Sequence, residues 1–94
     1  MKVFLDDERA PPEGWVRAWT SFETIRLLQT GTVVEISLDH DLGEPESRVG
    51  NGYLVLTWIE EQAASANRAV IPAIIRTHTA NPVARQRMLV AIAS

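Results

Sequence analysis

Cysteine is absent, which excludes a disulfide framework and any thiolate-ligated zinc site, and suits a cytoplasmic location. Lysine is almost absent too, with Lys2 the only one. No stretch approaches the roughly 18 to 20 apolar residues that a membrane-spanning helix needs, so no membrane association is expected. Neither charge sign dominates. Nine basic against 12 acidic side chains leave a formal charge of −3, which argues against a broad footprint on a phosphate backbone but not against a locally shaped nucleic-acid site. Internal repeats and low-complexity segments are missing. So is a signal peptide: Met1-Lys2-Val3-Phe4-Leu5 runs straight into acidic residues, and the mature chain is expected to start where the sequence starts.

What is present is a 94-residue chain, 46% hydrophobic and 22% charged, the balance of an ordinary folded domain rather than a disordered one. One domain spanning residues 1–94 is expected, because a chain this short holds a single core.

Lys2 to Leu5 is a short apolar run stopped by Asp6-Asp7-Glu8-Arg9, the pattern of a buried strand ending in a polar loop. Ala10-Pro11-Pro12-Glu13-Gly14 continues neither helix nor central strand. Trp15 to Trp19 alternates at period two and suits an edge strand. Thr20-Ser21-Phe22-Glu23 matches a capping box, opening a helix of about ten residues with Phe22, Ile25 and Leu28 or Gln29 at helical spacing and Gly31 as its stop. Thr32 to Leu38 reads as a strand ending in Asp39-His40-Asp41-Leu42-Gly43. Glu44 to Gly50 reads as a flexible loop. Tyr53 to Ala66 then forms an amphipathic helix burying Leu54, Val55, Trp58, Ile59 and Gln62. Ala69 to Ile75 is a further apolar strand despite Pro72, followed by Arg76 to Ala80. Asn81-Pro82 caps and starts a last helix, with Val83, Leu89, Val90 and Ile92 directed inward.

The order β-β-α-β-α-β-α predicts an α/β fold, a small doubly wound, mostly parallel four-stranded sheet joined by right-handed crossovers. Ligands bind such sheets outside the carboxyl ends of the strands. All four aspartates, Asp6, Asp7, Asp39 and Asp41, and both histidines, His40 and His78, fall at those ends. Clustered carboxylates raise one another's pKa unless a cation neutralises them, and hard oxygen donors favour magnesium or manganese. The imidazole side chain is the one whose ordinary titration range falls near neutral pH, which makes His40 and His78 the candidates for acid and base. Arg9 offers a forked donor set for phosphate, and Asn81 lies beside the unpaired N–H groups of a helix start.

Leu5-Asp6-Asp7-Glu8-Arg9, Ser37 to Gly43, Asn51-Gly52-Tyr53 and His78 to Pro82 together resemble the cyclic-phosphate processing receiver-like domains, compact relatives of response-regulator receivers. The resemblance covers almost the whole chain. It implies a receiver- or flavodoxin-like three-layer sandwich and action on cyclic phosphate ends, RNA ends among them. It also implies that Asp6 and Asp7 match the acidic pair holding magnesium, that Asp39 matches the phospho-accepting aspartate, and that Thr79 matches the hydroxyl residue after the fourth strand. With Asp41, these aspartates form the expected metal set, and Thr79 joins Arg9 and Asn81 at the phosphate. Two features depart from ordinary receivers: a Pro-rich loop replaces the first helix, and the fifth strand with its lysine is missing. Three readings follow: a metal-dependent phosphoesterase or cyclic phosphodiesterase for nucleotide or RNA ends, a signalling module accepting a phosphoryl group at Asp39, and a silent interaction domain. A homodimer through the Trp15–Trp19 edge is a further expectation.

Overall fold

The computed structural model describes residues 1–93, folded as a sheet of four parallel strands. The strands are β1 (Lys2–Leu5), β2 (Val16–Ala18), β3 (Glu35–Leu38) and β4 (Ile74–Thr77), in the order β2-β1-β3-β4. Their connections carry α1 (Ser21–Leu28), α2 (Glu46–Val49), α3 (Gly52–Ala64) and a 3₁₀ turn at Arg68–Val70, and α4 (Pro82–Ala93) closes the chain. This is the expected receiver-like α/β architecture. Among the described residues, no helix is long and apolar enough to cross a membrane.

Strand side chains alternate between faces. Val3 pairs with Ile36 and Leu5 with Leu38 across the sheet, and all four are fully buried. They meet Leu28, Val55, Leu56, Ile59 and Met88 from the helices in one core. α1 packs on α3 and α3 on α4, so the helices form a continuous layer over this face.

The opposite face carries Phe4, Ser37 and Arg76. The β1–β2 crossover covers it, with Trp15 edge-on to Phe4 at 6.2 Å between ring centroids and the Lys2 ammonium 5.8 Å from the Trp15 ring. Glu35 and Arg76 close the other side of that face with a 2.9 Å ion pair. The third layer is therefore irregular chain, which accounts for the prolines where a receiver has a helix.

Several boundaries and faces differ from the sequence expectations. The third strand is shorter than 32–38, beginning at Glu35. The segment expected as a strand over 69–75 starts as the 3₁₀ turn and becomes strand only at Ile74, because Pro72 has no N–H to give a ladder. Glu44 to Gly50 contains α2 rather than loop alone. α1 buries Ser21, Thr24 and Leu28 and turns Phe22 outward, while α3 buries Leu56 rather than Leu54. On α4 only a narrow line touches the core: Ala84 and Met88 are buried and Ala91 and Ile92 pack against them, leaving Val83, Leu89 and Val90 exposed. Small Ala84 lets this helix approach closely, and the helical turn of 100° per residue then carries its larger neighbours away. β2 is an edge strand as expected, with Val16 and Trp19 exposed.

Candidate functional site

Hydrogen bonds extend the parallel ladders one residue past the strands. Asp6 N–H donates to Ala18 C=O at 3.1 Å, Asp39 N–H to Leu5 C=O at 3.0 Å, and His78 N–H to Leu38 C=O at 3.0 Å. Because Leu5, Leu38 and Thr77 are in register, Asp6, Asp39 and His78 stand abreast at the carboxyl ends of β1, β3 and β4. Parity aims all three at the face of Phe4, Ser37 and Arg76, away from the helices.

Asp6 is fully buried, and its carboxylate is held on both oxygens. Oδ1 accepts from the N–H groups of Glu8 (2.8 Å) and Arg9 (2.9 Å), a local turn of the kind aspartate favours. Oδ2 meets His78 Nε2 at 3.0 Å and Arg9 Nε at 3.6 Å. Burial pushes the Asp6 carboxyl up, but the two backbone donors and His78 outweigh it and hold the group below its ordinary value of 3.8. An ionised carboxylate only accepts, so the His78 Nε2 that faces it carries a hydrogen, while Nδ1 lies 2.7 Å from Ser37 Oγ. The ring also stacks on Phe4, 4.2 Å away and 6° from parallel.

A carboxyl with a lowered folded pKa stabilises the fold above its unfolded value, and that contribution disappears as pH falls through the folded value. In metal-free protein, the stability gap between wild type and Asp6→Asn is therefore expected to be full above about pH 5 and to shrink below pH 3.8. Urea melts across this range test it; a gap independent of pH would mean that Asp6 titrates normally in the folded state.

Beside this layer lies a cavity of about 310 Å³, walled by Asp7, Glu8, Arg9, Asp39, Asp41, Gly43, Thr79, Ala80 and Asn81. It gathers the three loops that the sequence placed at one end of the sheet. Asp39 is buried, and its Oδ1 accepts from His40 N–H at 2.8 Å. Asp41 is exposed, with Oδ1 against His40 Nδ1 at 2.8 Å and Oδ2 taking Asn81 Nδ2 at 3.5 Å. Asn81 Oδ1 caps α4 through Ala84 N–H at 3.1 Å, and Asn81 N–H donates to Thr79 Oγ1 at 3.2 Å. Arg9 crosses to the β4 end, where Nη1 donates to His78 C=O at 2.9 Å. Gly43 has φ +93°, and an added Cβ would lie 3.2 Å from Asp7 Oδ2, so this turn and the Asp7 carboxylate occupy one tight corner.

The two histidines are not brought together. His78 sits beneath the cavity with both ring nitrogens engaged. His40 lines the adjoining cavities rather than this one, and its Nε2 makes no hydrogen bond among the described residues.

One donor set among the described residues brings three ligand atoms close enough together for a metal. Asp6, Asp39 and His78 each place one ligand atom within 4.8 Å of the others, and a metal there would take the place of the hydrogen between His78 Nε2 and Asp6. Asp7 and Asp41 line the cavity beside Asp39 without joining that grouping, and the Asp7 carboxylate has no hydrogen bond among the described residues. Four carboxylates against the single guanidinium of Arg9 make the cavity anionic, the condition under which a divalent cation fits.

Sequence reasoning missed Ser37 and Glu8. Ser37 was visible as a polar residue two positions before Asp39, between Ile36 and Leu38 of the strand, hence on the same face as Asp39. Glu8 carried no signal beyond its neighbours.

Comparison with known proteins gives one clear result. A family model described as the cyclic-phosphate processing receiver domain matches residues 1–94, while no curated protein and no solved structure matches the chain. That match spans every strand of the sheet and all three loops of the acidic cavity, so the chain belongs to the cyclic-phosphate processing receiver domain family.

Proposed function

We propose that the chain hydrolyses cyclic phosphates on nucleotides or RNA ends, in a reaction that requires magnesium or manganese. The observation carrying this reading is the convergence of Asp7, Arg9, Asp39, Asp41, Thr79 and Asn81 on one open cavity at the carboxyl ends of the strands. Four carboxylates repel a phosphate, so anion binding there calls for a cation, held by Asp39 with the neighbouring carboxylates of Asp6, Asp7 and Asp41. When bound, the metal neutralises that charge and polarises a phosphoryl oxygen.

The chain's own groups do the rest. Arg9, anchored through Nη1 to the His78 carbonyl, keeps other N–H donors for a phosphate oxygen. The Thr79 hydroxyl adds a short-range polar contact. His40, bonded at Nδ1 to Asp41, lines the adjoining cavity that shares Asp41 with the acidic one, and from that side it is the base for the proton of the attacking water at Nε2. The water oxygen bonds to phosphorus, one of the two ribose-oxygen bonds to phosphorus breaks, and the released oxygen takes a proton from solvent. His78 is a positioning residue, fixed between Asp6 and Ser37.

The alternative is a signalling or interaction module with Asp39 as phosphoryl acceptor, supported by Asp39 and Thr79 sharing the cavity. Hydrolysis is favoured because the only lysine lies at the start of β1, beside Trp15 and at the far end of the strand from the cavity. The test is hydrolysis of adenosine 2′,3′-cyclic phosphate and of an RNA ending in a cyclic phosphate, with magnesium, manganese or chelator. Turnover is expected with metal and is expected to fall at least about a hundredfold on chelation. Stable phosphorylation of Asp39 by a small phosphodonor, without turnover, would move the assignment to the signalling module.

A further inference from the structure

The acidic cavity does not stand alone. A second cavity of about 230 Å³ shares Asp41 and Gly43 with it, and shares His40 and Asn51 with a third of about 350 Å³. This third cavity is lined by His40, Asn51, Tyr53, Leu54, Thr57 and Arg87. Its chemistry is unlike the first. It contains no carboxylate, and it holds one planar cation over one aromatic ring, with the Arg87 guanidinium 4.8 Å from the Tyr53 centroid.

We infer that this cavity is a nucleobase subsite, in which the Arg87 guanidinium, supported from beneath by the Tyr53 ring, presents its outer face as the stacking plane for the base of a nucleotide whose phosphate occupies the acidic cavity. Every base presents a π face, and aromatic rings and guanidinium planes both stack on it without regard to sequence. The position fits a single nucleotide. Asn81, at the phosphate cavity, and Arg87 lie six residues apart on α4 and its cap, a rise of about 9 Å along the axis. Base-edge readout is sparse, because the Asn51 side chain is spent on the Leu54 N–H at 3.0 Å and on Glu46 at 2.9 Å, and the Thr57 hydroxyl donates to Tyr53 C=O at 3.2 Å. The subsite therefore selects for a base without choosing strongly among bases. This rests on the phosphoester reading for the occupant of the first cavity, but base binding itself does not depend on turnover.

Calorimetry on the full chain with magnesium tests it, using adenosine 3′-monophosphate, ribose 3-phosphate and adenosine. Wild type should bind the nucleotide at least about tenfold more tightly than the sugar phosphate. Arg87→Ala and Tyr53→Leu should each bring that ratio towards one. Arg87→Lys, which keeps the charge but loses the plane, should do the same. Tyr53 packs partly against the core, so a folding defect in Tyr53→Leu leaves the exposed Arg87 variants to decide. Equal affinity of wild type for nucleotide and sugar phosphate, or a ratio unmoved by both Arg87 variants, would overturn the inference. Ring-dependent adenosine binding in a protein that hydrolyses no cyclic phosphate would uphold the subsite and reject the phosphoesterase.

Discussion

Asp39→Asn is expected to lower metal-dependent turnover by about a thousandfold while leaving the fold intact. Asparagine has the shape of aspartate, and its amide oxygen can still accept the His40 N–H that now bonds Oδ1 at 2.8 Å. What it loses is a negative charge, in a cavity where Asp7, Glu8 and Asp41 supply the remaining carboxylates. Activity and stability should therefore move in opposite directions. Without divalent cation, relief of repulsion should hold or raise the melting temperature. With cation, the wild type should gain stability by mass action and the variant should gain much less. Melting curves with and without magnesium, alongside the cyclic-phosphate assay, read both effects. Turnover within about tenfold of wild type would remove Asp39 from the chemistry.

The second large effect is expected at Gly52, and it is an effect on folding. A Cβ there would run into the backbone carbonyl of Asp39 and lie 2.9 Å from the Met88 methyl. The carbonyl is backbone, one residue past β3, so no rotamer change relieves the overlap. α3 would have to lift off, breaking the Gly52 N–H bond to His40 C=O at 3.1 Å and the bridge between Asp41 and Asn51. Gly52→Ala should cost about 3 kcal/mol, at the upper end for overpacking. In a domain of this size that lowers the melting temperature by about 12 to 24 °C. A loss below about 1 kcal/mol would mean that α3 can slide along the strand end without disturbing the loop.

Gly52 also shows how much the sequence revealed. Asn51-Gly52 reads as a helix start, and Asn51 does cap α3 through the Leu54 N–H. That the glycine is needed for a backbone approach to Asp39 depends on two segments 13 residues apart meeting, which local pattern does not carry. The succession of elements, the parallel sheet and the gathering of Asp7, Arg9, Asp39, Asp41, Thr79 and Asn81 at one end of it were legible because parallel connections leave little freedom of topology. The separation of the histidines was not. His78 points under the cavity because its parity matches Arg76, and strand parity is readable only once the strand is known to begin at Ile74 rather than at Ala69. The outward turn of Phe22 and Val83 had the same origin, since apolar spacing alone does not say which side of a helix meets the sheet.

The Asp6–His78–Ser37 chain of hydrogen bonds has a consequence for how this domain tolerates change. It ties β1 to β4 across β3, two strands that share no ladder, and does so at the end of the sheet that carries the cavity. Asp6 and His78 are therefore rivets, and substitutions at them will be purged for misfolding before catalysis is at stake. Asp7 and Asp41, at the rim, carry no such load. A lineage that lost its substrate would be free to drift at the rim while keeping the rivets, so chains that retain Asp6, Ser37 and His78 but have exchanged Asp7 and Asp41 are where a retired enzyme turned binding protein should be sought.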